Sequence, residues 1–104
     1  MAEVEVSAFD GPGSPPLLAM IGEFHASNCD LVEDFLTLWL AQGRPSAVLD
    51  MSRTSFIDST VISALVAAQE AGLALTVRGV TGQVRTALDE ARGGEVLKVE
   101  TVPP

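Results

Sequence analysis

Apolar and polar positions alternate loosely from Val4 to Phe9, and the run DGPGSPP from Asp10 to Pro16 is dense in turn formers. Leu17 to Phe24 (LLAMIGEF) is almost wholly apolar with Gly22 near its end, as in a strand buried on at least one face that runs into a loop. Together the two stretches predict an N-terminal hairpin.

After Phe24 the period changes. Ser27 stands in an N-cap position with Asp30 three residues on, and Leu31, Phe35, Leu38 and Trp39 follow at helical spacing until Gly43 can end the helix. Asp30, Glu33 and Asp34 fall in its first two turns, where exposed amides favour negative charge. Beyond Arg44-Pro45-Ser46, Ala47 to Met51 reads as a short buried strand and Ser52 to Asp58 (SRTSFID) as the loop to the next helix. Ser59 to Ala71 repeats Val61, Ile62, Leu65, Val66 and Ala68 with a helical period, and Gly72 follows as a cap. Leu73 to Arg78 is a strand, Thr81 to Ala91 a helix with Val84, Ala87 and Leu88 on one side, and Val96 to Val102 a last strand.

The expected order is therefore β-β-α-β-α-β-α-β. Strands separated by helices should be parallel and joined by right-handed crossovers, giving an α/β fold with a small mixed β-sheet covered by α-helices. At 104 residues there is room for one domain, spanning 1–104.

Charge narrows the possible partners. Fourteen acids against six bases give a net charge of −8, which repels nucleic acid and anionic membrane surfaces. Residues 1–43 hold seven of the acids and no Lys or Arg, so any use of the excess points to a basic protein surface. Cys29 is the sole cysteine and His25 the sole histidine, which leaves neither an internal disulfide nor a Cys/His metal cluster to build. Cys29 near a helix start is placed for modest activation but has no paired base, and Trp39 reads as core. A leader with Glu3, Glu5 and Asp10, and no apolar run approaching 18 residues, lead us to expect a cytoplasmic protein. Without a GxxxxGK[ST] loop or a nucleophile elbow, an enzyme is not expected.

The segment AVLDMSRTSFIDSTVISAL, Ala47 to Leu65, resembles the signature of STAS domains, the family of bacterial anti-sigma factor antagonists. The signature is a hydrophobic strand ending in Asp, a hydrophobic-hydrophobic-Asp-Ser-Ser/Thr run, then a helix. LLAMIGEF and LALTVRGVTGQVRTAL extend the likeness over most of the chain. Asp-Ser-Thr alone is common at helix starts; the surrounding match gives it weight. The resemblance implies that Ser59 is phosphorylated by a partner anti-sigma factor that is also a serine kinase, and that a protein phosphatase reverses this. It implies a docking surface of Glu23, His25, Asp58, Ser59, Thr60, Ile62 and Ser63, with ATP and magnesium belonging to the kinase and no cofactor or metal in this chain.

The chain departs from the family pattern twice. Gly22-Glu23-Phe24-His25 ends in an imidazole where the family usually has Asp, and Val61-Ile62-Ser63 replaces the Gly-Leu-Gly common after the serine pair, stiffening the helix start. Two other readings follow from family resemblance: a non-switching STAS scaffold or subunit of a signalling or transporter complex, and a nucleotide-binding domain, which the missing phosphate loop disfavours. A monomer is expected, since no sequence feature demands more.

Overall fold

In the computed structural model, which describes residues 4–91 and 96–100, the first two stretches form an antiparallel hairpin of β1 (Glu5–Phe9) and β2 (Leu17–Phe24), registered from Glu5 opposite Ile21 to Phe9 opposite Leu17. Then follow α1 (Asp30–Ala41), β3 (Ser46–Asp50), β4 (Thr54–Ile57), α2 (Ser59–Glu70), β5 (Ala74–Arg78), α3 (Gly82–Glu90) and β6 (Lys98–Glu100). The sheet runs β1-β2-β3-β5-β6, with β4 attached to β2, and every pairing except β1 with β2 is parallel. The mixed sheet and three helices are as expected; Thr101 and Val102, assigned to the last strand from sequence, lie outside the described residues.

One element needs correction. The SRTSFID segment is not simply a loop, because Thr54–Ile57 forms β4, and the order is β-β-α-β-β-α-β-α-β. A four-residue strand carries little intrinsic preference of its own; it exists because β2 offers it an edge.

Both central helices end as the glycines predict. Gly43 and Gly72 adopt φ of +72° and +117°, and the next residues donate back: Arg44 N–H to the Trp39 carbonyl at 3.0 Å, and Leu73 N–H to that of Ala68 at 3.1 Å. Left-handed glycine closing a helix with this bond satisfies carbonyls that the last turn leaves free.

The face of α1 differs from its sequence reading. Val32, Leu36 and Trp39 are buried, whereas Leu31 and Leu38 remain 38% and 48% exposed. So many residues of DLVEDFLTLWLA are apolar that periodicity alone does not choose which stripe turns inward. Trp39 is core as expected, its ring centroid 5.8 Å from that of Phe35.

Leu18 and Met20 of β2, Ala47 and Leu49 of β3, and Leu75 and Val77 of β5 all point to one face of the sheet. They form a single core with Val32, Leu36, Leu65, Val84 and Leu88 from the three helices. Burying each of the Leu, Met and Val side chains among them contributes about 1.5–3 kcal/mol. The residues between them on the strands face the other way and keep contact with solvent.

Candidate functional site

The site is built where β2 changes partner. Its first half pairs with β3 through Leu17–Ala19, and its second half pairs with β4 through Gly22–Phe24, with a register shift between Gly22 and Glu23. Gly22 takes φ +104° there, a conformation that costs glycine little and other residues much. Its N–H donates to the Arg53 carbonyl at 3.1 Å, and the buried Thr54 hydroxyl donates to the Met20 carbonyl at 2.6 Å, so the entry to β4 is pinned to β2.

Where the two strands end together, Asp58 N–H donates to the Phe24 carbonyl at 3.2 Å. This sets the β2–α1 loop against the start of α2. Asp58 is the N-cap the sequence predicts, with extended backbone, and one carboxylate oxygen accepts the Val61 N–H at 3.0 Å. Its other oxygen accepts the Ala26 N–H at 3.1 Å, from a loop 32 residues earlier. A single carboxylate thus caps the helix and ties down the neighbouring loop.

Ser59, Thr60 and Ser63 lie exposed on the first turns of α2, beside half-buried Asp58. Glu23, exposed, and His25, half-buried, belong to the tethered side of the site. Ile62 does not join this surface from outside: it is 2% exposed and packs in the core beneath it. The His25 ring shares a hydrogen bond of 2.7 Å with the Ser27 hydroxyl, and no hydrogen bond joins it to Ser59 among the described residues.

The helix cap expected at Ser27 is corrected by the same contact. The N-cap of α1 is Cys29, with no side-chain capping bond, because Ser27 lies two residues too early and its hydroxyl is engaged by His25. Asn28 instead organises the loop, accepting the His25 N–H at 2.9 Å and donating to the Glu23 carbonyl at 3.0 Å. Asn in a loop rich in polar residues is the one sequence signal that pointed to it.

Cys29 is not an activated thiol. Its side chain is buried, and burial first, then the charge and hydrogen bond of Glu33, then the charges of Asp58 and Asp30, push its pKa up to about 11. It is therefore an inert, protonated core residue at neutral pH.

A groove of about 380 Å³ extends from Ser59 towards α3, lined by Phe56, Asp58, Ile62, Ala87 and Glu90 among others. The part played by α3 was not legible in the sequence, because nothing local ties Ala87 to Phe56. Neither α1 nor α2 contains Lys or Arg, while Asp30, Glu33, Asp34, Asp58 and Glu70 lie on or beside them. The helical side thus favours a cationic partner. Among the described residues there is no group of three His, Cys, Asp or Glu side chains able to hold a metal, and no helix long and apolar enough to cross a membrane.

A family model described as "Mlab, STAS domain" matches residues 7–98. The chain belongs to the STAS domain family. No curated protein matches the sequence significantly. Among solved structures, this STAS domain is similar to an anti-sigma factor antagonist from Mycobacterium paratuberculosis, with a TM-score of 0.79 at 17% identity, covering 96% of this chain and 87% of the other. It is similar to the unphosphorylated anti-sigma factor antagonist SpoIIAA, with a TM-score of 0.72 at 10% identity, covering 95% and 90%. It also resembles a sulfate transporter family protein from Wolinella succinogenes, with a TM-score of 0.66 at 26% identity over 80% of this chain and 73% of that one. The fold is that of SpoIIAA-type antagonists, and the STAS domains of transporters share it; such domains are typically regulatory and non-enzymatic.

Proposed function

We propose that this STAS domain is a cytoplasmic anti-sigma factor antagonist with no enzymatic activity of its own, which binds a kinase-type anti-sigma factor and releases the sigma factor held by it. Phosphorylation of Ser59 switches binding off, and a phosphatase restores it. The observation that carries this reading is the exposed Ser59 on the first turn of α2, next to an aspartate that caps that turn with one oxygen and ties the neighbouring loop to it with the other.

A phosphoserine adds about −1.5 to −2 charges and three acceptor oxygens. At a helix N-terminus the domain tolerates that anion. An interface closed over it without a matching cation leaves a buried unpaired charge, at a cost of order 3–5 kcal/mol, enough to release a partner. Glu23, Asp58, Thr60 and Ser63 complete the surface, with Ile62 supporting it from below and His25 at its edge.

A second reading is favoured by the 26% identity to the sulfate transporter family protein and by the family model itself. In it the same face of α2 is a permanent contact in a larger assembly and Ser59 is never modified.

Incubation with ATP, magnesium and the candidate anti-sigma kinases of the same genome, followed by intact mass measurement, separates the two. The antagonist gains one phosphate, absent in Ser59→Ala, and Ser59→Asp loses the anti-sigma factor while Ser59→Ala retains it. No modification by any kinase, with equal partner binding by both variants, overturns the switch in favour of the permanent subunit.

A further inference from the structure

We propose that the sheet face turned away from the helices is a self-association surface, through which two copies of this chain pack face to face. The strand register lays out that face in rows. Phe9, Leu17, Val48, Thr76 and Lys98 lie side by side across β1, β2, β3, β5 and β6, and Ser7, Ala19, Asp50, Arg78 and Glu100 form the row beside them. Ile21, opposite Glu5, extends the apolar side.

A sheet face left to water normally carries polar residues at alternate positions. Here β1, β2 and β3 present Phe9, Leu17, Ala19, Ile21 and Val48, and Phe9 is 62% exposed. The core-facing positions are already filled by Leu18, Met20, Ala47 and Leu49, so this second apolar set is not needed for folding.

The charges of the face identify the occupant. In a chain of net charge −8, two copies repel one another across most orientations. On this face Glu5, Asp50 and Glu100 are balanced by Arg78 and Lys98 and, at the rim of a cavity of about 420 Å³ shared with Glu5 and Ile21, by Arg53. The two ion pairs among the described residues, Arg44 with Asp10 and Arg85 with Asp89, lie elsewhere. A basic partner would gain nothing from a neutral face, whereas a second copy escapes its own repulsion there.

The two rows can also face each other. A two-fold axis running across the strands between them sets Phe9 over the partner's Ser7, Leu17 over the partner's Ala19, Val48 over the partner's Asp50, Thr76 over the partner's Arg78 and Lys98 over the partner's Glu100, so that large meets small on the β1–β2 side and opposite charges meet at β6. Sheets packed in this way lie about 10 Å apart with side chains interleaved. The helical side and Ser59 stay outward on both copies, so this inference is independent of the function proposed above.

Analytical ultracentrifugation of the full chain over a range of concentrations tests it. The expected result is a monomer–dimer equilibrium that tightens as salt rises from about 0.05 to about 0.5 M, because screening removes the general repulsion while the apolar contact persists. Val48→Glu raises the dissociation constant at least about tenfold. Lys98→Glu and Glu100→Lys, on exposed positions that leave the core intact, each weaken the dimer, and the double swap restores it. Ser59→Asp leaves it unchanged. A chain that sediments as a monomer throughout, or a dimer indifferent to the swaps at Lys98 and Glu100, overturns the proposal.

Discussion

The starts of α1 and α2 lie side by side at the ends of paired strands, yet they are held in different ways. Helix α2 begins at an aspartate whose two oxygens reach Val61 in front of it and Ala26 across the gap. Helix α1 begins at a buried cysteine with no side-chain cap, and its first-turn acids, Asp30 and Glu33, take no part in a capping bond. The contrast teaches that the side-chain tie between the two starts comes from one side. The α1 loop is held by its own Asn28 and by the Asp58 carboxylate across the gap, while the start of α2 takes from the other side only the Phe24 carbonyl and no α1 side chain.

The largest effect should come from breaking that asymmetry at its source. Asp58→Ala removes the cap, about 1 kcal/mol, and also the acceptor for Ala26, for a total destabilisation of about 2–3 kcal/mol in urea unfolding. Asp58→Asn sharpens the point, since its oxygen can still cap Val61 while its amide faces the Ala26 N–H with a second donor. About half of the loss should remain, with the disturbance confined to residues 24–28 in amide spectra.

A smaller effect belongs to the start of α1. Because the Cys29 pKa is raised from 9.0 to about 11 in the folded chain, the thiol keeps its proton there after the unfolded chain has lost it. Its contribution to stability is therefore complete below about pH 9 and fades as pH rises through 11. The chain has no Tyr, so thiolate absorbance near 240 nm can be followed directly against unfolding. A thiol titrating near its ordinary value, or reacting with Ellman's reagent at pH 8 faster than the chain unfolds, would contradict the burial.

The smallest effect is expected at Ser27. With no capping role, Ser27→Ala should change stability by less than about 0.5 kcal/mol. A loss of 1 kcal/mol or more would mean that its hydroxyl does cap α1 in solution.

What could be read in the sequence follows the reach of each interaction. The hairpin, the two glycine stops and the Asp58 cap are set by residues within a few positions of one another, and all were legible. The strand β4 was not, because Thr54–Ile57 is held by β2 from more than thirty residues away. The inward face of α1 was misassigned for a related reason: with Leu31, Val32, Phe35, Leu36 and Leu38 all apolar, only the sheet beneath decides which of them it covers. At the site, Ser59 and Asp58 stood out through a motif; Asn28 acts locally, on His25 and Glu23, but within a loop whose path no periodicity sets, whereas the α3 wall of the groove emerges only once distant segments meet.

The change of partner at Gly22 has a consequence for motion. Beyond the bulge, β4 is joined to β2 by three registered pairs, while β3 is paired with β5 along all five residues and with β2 as well. Amides at the end of β4 and at Asp58 can therefore exchange with deuterium by opening that short ladder alone, whereas those of β3 must wait for the whole sheet to come apart. Faster exchange at Asp58 and Ser59 than in β3 would show the turn opening as a unit smaller than the sheet, whereas equally slow exchange would show it opening only with the core that Ile57, Val61 and Ile62 join.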